Sequence, residues 1–388
     1  MTAEPVISGW CDPRFAAVRS EFTANFLERG ELGGAVSVSV RGRVVANLCG
    51  GWRDSARQQP WTADTLVNVF SVGKGLLAAC AARLIGERRL DPDAPVAGYW
   101  PEFAAAGKAA VTVRELLSHQ AGVPAIREPL PAGSALDWPL MTRVLAAEAP
   151  WWPRGTGHGY HVNTFGFVVG ELIRRSTGMT PGRFLARELA GPLGADVHIG
   201  LATREHSRVA EFGWADTAAP RAGWPPRGPG AQAGDQMALL AYLNPPDFSG
   251  FGVVNTAAWR SAEIPSANAH ASASGVARFY AALAAGGLLD SCRVVAATAL
   301  ADATQEQVYG ADLVLRRPSR FGLGFQLTHA ERPLGRGPRC FGHFGAGGSV
   351  GFADPDTGLA FGYVTNQMGP RWRNPRNQAL MDASYAGL

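Results

Sequence analysis

The chain has 388 residues, 46% hydrophobic and 18% charged, with a formal net charge of +4. This composition describes a globular protein with enough apolar residues for a substantial core in one large or two ordinary domains. The arginines are scattered, which argues against nucleic-acid binding, and the chain lacks the apolar run of 18 or more residues that a membrane span needs.

Residues 1–50 hold no basic region followed by an apolar run and a small-residue cleavage site, since Asp12, Arg14, Arg19, Glu21, Glu28 and Arg29 interrupt them. The expectation is a cytoplasmic chain. Residues 13–30 predict a helix. Residues 34–52 predict a hairpin: Ala35 to Val40 alternates, Arg41-Gly42-Arg43 turns, and Val44 to Leu48 returns. From Ser71 to about residue 200 the pattern is mostly helical, broken at Pro92, Pro95, Pro101, Pro124 and Pro153. Residues 217–235 predict a Pro/Gly-rich loop, and helical periodicity resumes near 272–288. Strands follow at Phe321 to Leu327, Cys340 to Phe344, Val350 to Ala353 and Leu359 to Thr365, and a closing helix begins near 375. Strands at both ends with helices between them predict a discontinuous sheet domain (1–75 and 272–388) and a mainly helical insertion (76–271).

Of 36 lysines and arginines, only Lys74 and Lys108 are lysine. Arginine stays protonated in proteins, whereas a buried lysine can lose its proton and act as a base. Lys74 stands three residues after Ser71 in Phe70-Ser71-Val72-Gly73-Lys74-Gly75-Leu76-Leu77. Leu77, Cys80, Ala81, Leu84 and Ile85 fall on one face of an amphipathic helix. If Ser71 opens that helix, Ser71 and Lys74 are neighbours about 5–6 Å apart at Cβ. The helix start also offers unpaired N–H groups, so a serine there can attack while its own N–H holds the resulting oxyanion. The plainer alternative is an N-cap serine followed by a surface lysine.

A nucleophile and a base need a second proton handler. Tyr160 lies on the loop Pro153-Arg154-Gly155-Thr156-Gly157-His158-Gly159-Tyr160, just before a predicted helix. Gly342-His343-Phe344-Gly345-Ala346-Gly347-Gly348 ends a predicted strand, where glycines allow close backbone approach and the Ala346 N–H offers a second oxyanion donor. Gly347-Gly348-Ser349-Val350-Gly351 fits the Gly-x-Ser-x-Gly elbow, but strand continues after Ser349 and no histidine follows it, so a triad in that order is excluded. Cys11, Cys49, Cys80, Cys292 and Cys340 are odd in number and widely spaced, so reduced thiols are expected. The eight histidines show no metal-binding spacing, and neither a metal nor a cofactor is expected. Arg316-Arg317 and Arg371 to Arg376 are short basic spots read as solvated surface.

Ser71-Val72-Gly73-Lys74, Leu116-Leu117-Ser118-His119-Gln120-Ala121-Gly122-Val123, Tyr160 and His343-Phe344-Gly345, in this order, resemble the serine β-lactamase and penicillin-binding superfamily, and within it the family VIII esterases. The resemblance spans residues 15–370. It implies an α+β fold of the β-lactamase/transpeptidase type, with an antiparallel sheet flanked by helices beside an all-helical domain and the site between them. It implies that Ser71 is acylated, that Lys74 and Tyr160 move protons, and that the N–H groups of Ser71 and Ala346 hold the oxyanion. His343 and Gly345 stand where the family's Lys-Thr-Gly lies, and His119 is expected to pack rather than act as a base. Val162 replaces the family's amide-binding asparagine, with Asn163 one residue further on. His343 replaces the lysine that meets a substrate carboxylate. Both departures favour a small neutral ester over penicillins or D-alanyl peptides. Trp151, Trp152, Trp214, Trp224 and Trp259 line an acyl pocket or pack the core. The expectation is a serine carboxylesterase. A β-lactamase or D-alanyl peptidase, an acyltransferase and a binding protein on the same fold are its rivals.

Overall fold

The computed structural model describes residues 6–214 and 233–388. The loop expected at 217–235 lies outside them as far as residue 232, and a helix begins at Ala233. The centre is a sheet of nine strands: β1 (Ile7–Cys11), β2 (Gly33–Val40), β3 (Arg43–Gly51), β4 (Val308–Ala311), β5 (Pro318–Phe321), β6 (Gln326–Leu327), β7 (Phe341–Phe344), β8 (Val350–Asp354) and β9 (Leu359–Thr365). Their order is β1-β3-β2-β9-β8-β7-β6-β5-β4, and every neighbouring pair is antiparallel. The two ends of the chain join where β9 runs along β2, with Phe361 opposite Val38 and Tyr363 opposite Val36.

The named helices are α1 (Ala16–Glu28), α2 (Val72–Gly86), α3 (Trp138–Ala147), α4 (Thr164–Thr177), α5 (Ala233–Leu243), α6 (Ala273–Ala284) and α7 (Pro375–Ala386). Strand alternation sorts large from small residues between the sheet faces. Phe361 and Tyr363 of β9 pack with Phe22 of α1 and Leu380 and Tyr385 of α7. The opposite face carries Gly351 and Gly362, and α6 lies directly on it. A Cβ at Gly351 would stand 2.5 Å from Tyr280 and Val276, and one at Gly362 would stand 2.4 Å from the Ala273 carbonyl oxygen.

Two expectations need correction. The stretch Phe321 to Leu327 is not one strand: β5 ends at Phe321, and β6 resumes only at Gln326. Gly324 between them has φ +84°, which a strand cannot hold. The helix after Ser71 is not amphipathic. Every residue from Val72 to Ala82 is buried, so α2 is enclosed by α4, by Ala297–Ala303 and by β7.

A small sheet pairs Val67–Asn68 with His270–Ala271, and Val197–His198 with the same partner. It ties the segment entering α2 to the loop before His270. Among the described residues no helix is long and apolar enough to cross a membrane. The five cysteines are unpaired.

Candidate active site

Ser71 is the residue before α2, with φ −66° and ψ −5°, and its side chain makes no capping bond. The hydroxyl turns instead to Lys74, whose Nζ donates to Ser71 Oγ at 2.9 Å. Both groups reach the Ser266 carbonyl, Nζ at 3.3 Å and Oγ at 3.4 Å. Lys74 is fully buried, and no carboxylate acts on it. Desolvation therefore pulls its pKa well below that of a free lysine. The surface-lysine alternative is excluded by this placement.

Glycines let α2 sit this deep. A Cβ at Gly73 would stand 2.3 Å from the Pro265 carbonyl oxygen, and one at Gly75 would stand 2.1 Å from the Tyr280 hydroxyl. Phe70, just before the serine, has φ +48°. A left-handed non-glycine residue costs roughly 1–2 kcal/mol. Its ring is anchored by Phe212 at 4.9 Å and Trp214 at 6.1 Å, which offsets that cost and fixes the bend presenting Ser71.

Tyr160 enters from the loop before α4 and is fully buried. Its ring stacks on Phe321 at 5.8 Å and meets His119 at 5.1 Å and Trp372 at 5.4 Å. Lys74 Nζ lies 4.7 Å from its centroid. Burial pushes the phenol pKa well up, opposed by a hydrogen bond with Ser71. The Tyr160 main-chain N–H donates to both carboxylate oxygens of Asp312, each at 3.1 Å. Asp312 also accepts from the N–H of Val314 and Leu315 and from the Ser319 hydroxyl.

His343 on β7 completes the group. Its Nδ1 lies 2.7 Å from the Phe344 carbonyl oxygen, and its Nε2 lies 3.4 Å from the Tyr160 hydroxyl. A carbonyl only accepts, so Nδ1 carries the proton and Nε2 is a bare acceptor for the phenol. Burial, with Lys74 nearby, pulls His343 down to about 3 and keeps it neutral.

His119 is a packing residue in this arrangement. At φ +65° it accepts the His161 N–H at Nδ1 (3.1 Å), and its carbonyl accepts the Gly159 N–H at 3.1 Å. It thereby clamps the chain on both sides of Tyr160.

Gly345 follows β7 and brings two segments together. A Cβ there would stand 2.3 Å from the Val69 carbonyl oxygen, two residues before Ser71. Among the described residues the N–H groups of Ser71 and Ala346 have no main-chain acceptor. Both stand on the segments that Gly345 joins.

Trp152 lies beneath the Tyr160 loop, buried against Gly159 and Val314. Trp259 is also buried and donates to Asn68, Trp151 donates to the Ala125 carbonyl, and Trp224 lies outside the described residues. Ser349 is buried, its hydroxyl accepting the Thr365 N–H, which removes it as a nucleophile. Asn163 does not take over from the missing asparagine, because its amide donates to the Ala241 carbonyl and to Ser249.

Sequence reasoning missed Ser266, Asp312, Phe321 and Trp372. Ser266 acts through a carbonyl, which no side chain signals. Asp312 opens a turn, and an aspartate before two buried-turn N–H groups was the available cue.

The beta-lactamase family model matches residues 18–385. The chain is 35% identical over 371 residues to the esterase/beta-lactamase LipL of Mycobacterium tuberculosis, covering 93% of this chain and 83% of that protein. Its structure is similar to that of a family VIII carboxylesterase, with a TM-score of 0.90 and 39% identity over 99% of this chain and 100% of that one. A penicillin-binding protein homolog from Caulobacter crescentus is equally similar, with a TM-score of 0.90 and 41% identity over 99% of this chain and 100% of that one. The α+β fold and the kinship expected from four short motifs both hold. A match running nearly end to end, on an architecture shared with both solved structures, makes this chain a member of the beta-lactamase family.

Proposed function

We propose that the protein is a serine carboxylesterase that cleaves small esters, with short acyl chains, through an acyl-enzyme on Ser71. The observation that carries this reading is the 2.9 Å contact between Ser71 Oγ and a lysine stripped of solvent and counter-ion. Neutral Lys74 takes the Ser71 proton as Oγ bonds to the ester carbonyl carbon. The N–H groups of Ser71 and Ala346 stabilise the oxyanion, each worth roughly 10²–10³ in rate. Tyr160 gives its proton to the leaving alcohol as the acyl–oxygen bond breaks, and the Lys74 ammonium restores it. Water then enters by the reverse relay and frees the acid. Proton transfer contributes roughly 10²–10⁴. Every step uses side chains and main-chain N–H groups of this chain, so the reaction calls for no cofactor or metal.

Valine at 162 and the engaged amide of Asn163 weigh against β-lactams and peptides, because no asparagine amide is left to meet an amide carbonyl. The test is intact mass spectrometry after mixing with p-nitrophenyl butyrate and, separately, nitrocefin. An acyl adduct from the ester, absent in Ser71→Ala, supports the reading. An adduct that persists in that variant overturns it, and nitrocefin turnover matching ester turnover favours a β-lactamase.

A further inference from the structure

The arginines that read as surface in the sequence are partly folded in beside Tyr160. Trp372 links the two: its ring lies 5.4 Å from that of Tyr160, and the Arg317 guanidinium lies 5.3 Å from its centroid. Arg371 and Arg373 flank Trp372 in the chain. Arg332 sits in a turn bridged to His329, where its N–H donates to the His329 carbonyl at 3.0 Å. Burial and the like charges of Arg317, Arg371 and Arg373 pull Arg332 down to about 10.

Among the described residues no carboxylate lies within ion-pair distance of Arg317, Arg332 or Arg373; Asp312 and Glu331 act on Arg317, Glu331 on Arg332 and Asp382 on Arg373 only at longer range. Nη1 of Arg317 and Nε of Arg373 are buried without partners. His329, only 7% exposed, has neither ring nitrogen hydrogen-bonded, and burial lowers its pKa, opposed by Glu331 and assisted by Arg317 and Arg332. Asp312 is committed to Tyr160, Val314, Leu315 and Ser319. Asp382 sits 3.9 Å from Arg336 and is largely exposed, as is Glu331. Buried guanidinium N–H groups without acceptors oppose folding unless an anion closes them. Such unmet local costs collect at functional sites. His343 is neutral, so positive charge beside Tyr160 comes from these guanidiniums.

We propose that Arg317, Arg332 and Arg373, with Trp372 as a stacking wall, form a subsite for a carboxylate on the leaving-group side of the crevice. The substrate is then an ester whose alcohol or phenol portion bears a carboxylate. This rests on the esterase reading above, which gives Tyr160 the leaving oxygen. Guanidinium forks match carboxylates in two-point geometry, and an aromatic acid can also stack on the indole. The reaction stays a hydrolysis: the acyl–oxygen bond breaks, the acyl group gains hydroxyl from water, and the departing oxygen gains the proton.

The test compares 4-acetoxybenzoate with its neutral isostere 4-acetoxybenzamide, on wild type, Arg317→Gln, Arg332→Gln and the double variant. The expected result is a kcat/KM ratio favouring the acid at least tenfold in wild type, falling toward one in the variants and with added salt. A ratio near one in wild type, or one indifferent to salt and to both arginines, overturns the subsite. If the double variant unfolds, the single variants and the salt series decide. Binding of 4-hydroxybenzoate to Ser71→Ala is measured by calorimetry, with and without the arginine changes. Arginine-dependent binding without any Ser71-dependent turnover would sink the esterase reading and leave the subsite standing. Ser71-dependent turnover of both esters with arginine-independent binding would do the opposite.

Discussion

His343 receives the Tyr160 hydroxyl at a ring nitrogen that carries no proton, 3.4 Å away, because its other nitrogen is held by the Phe344 carbonyl. The phenol is thus a protonated donor whose hydrogen has a defined direction. Lys74, buried and 2.9 Å from Ser71 Oγ, fits the proposed role of base for Ser71.

Removing the acceptor should disorder that proton. His343→Phe keeps an aromatic of similar bulk and is expected to lower kcat roughly 10-fold or more, within the range of one proton-transfer partner. KM should change little, and His343→Gln, which retains an acceptor, should recover part of the loss. A variant with wild-type kcat would exclude the role. The wild-type rate should show no inflection near pH 6.5 from this histidine, which titrates near 3.

Lys74→Arg should be nearly inactive, because arginine cannot accept a proton at working pH. In the wild type, kcat/KM should rise with pH and level off well below 10.5, since burial lowers the Lys74 pKa and the neutral amine is the active form. Retained turnover in the arginine variant, or a limb at the pKa of a free lysine, would refute a base at this position.

Asp312 holds the main chain of Tyr160 through its carboxylate. Asp312→Asn replaces one of two accepting oxygens with a donor, facing main-chain N–H groups and the Ser319 hydroxyl. A shift of the phenol by about 1 Å costs roughly 10²-fold. The expected signature is a fall in kcat with KM nearly unchanged, read on protein that is still folded by circular dichroism. Equal changes in both constants would point to a general structural loss instead.

Acid should unfold the protein from an unusually high pH. Burial pulls His161 to about 4 and His270 and His343 to about 3, while His119 is also held well below 6.5. Below the unfolded pKa of about 6.5 the unfolded chain takes up protons that the folded chain refuses, so stability falls as pH drops. The loss should run from about pH 6.5 toward 4 and exceed that from carboxylates alone. Urea midpoints measured between pH 7 and 4.5 test this, and a flat series contradicts it.

The second lysine has a structural task. Lys108 Nζ donates to the carbonyls of Ala105 at 2.9 Å, Ala146 at 3.0 Å and Glu148, matching three ammonium protons to three acceptors. Lys108→Met should destabilise by about 2–4 kcal/mol, since it orphans buried carbonyls. Burial pulls Lys108 down to about 8, opposed by Glu148, so between pH 8 and 10.5 the unfolded chain holds the extra proton. Its contribution to stability should therefore grow with pH across that window. Urea melts of wild type and variant at pH 7.5 and 9.5 check the sign.

The grouping of the candidate site residues was more legible than the scaffold. Ser71, Lys74 and Tyr160 carry their chemistry in side chains, and a lysine amid arginines marks itself. β9 was readable to the residue, because Leu359 to Val364 carries no charged residue and is buried throughout, as a strand covered on both faces requires. β1 was not: Ile7-Ser-Gly-Trp-Cys11 has little strand character, and it exists because β3 offers an edge, with Trp10 opposite Asn47. The enclosure of α2 was also illegible. Alanine and glycine look neutral in a periodicity count, yet they are what lets α4, Ala297–Ala303 and β7 close around one helix. The arginine cluster needed tertiary structure, because Arg317, Arg332 and Arg371 are far apart in the chain.

Because α2 is buried through Ala82, Ser71, the proposed nucleophile, rides on a shaft that packs on both the helical portion and the sheet. Separating α4 or β7 from that shaft would therefore disturb Ser71. Catalytic competence should then vanish together with the last cooperative unit to melt, and partial unfolding with surviving turnover has no structural route.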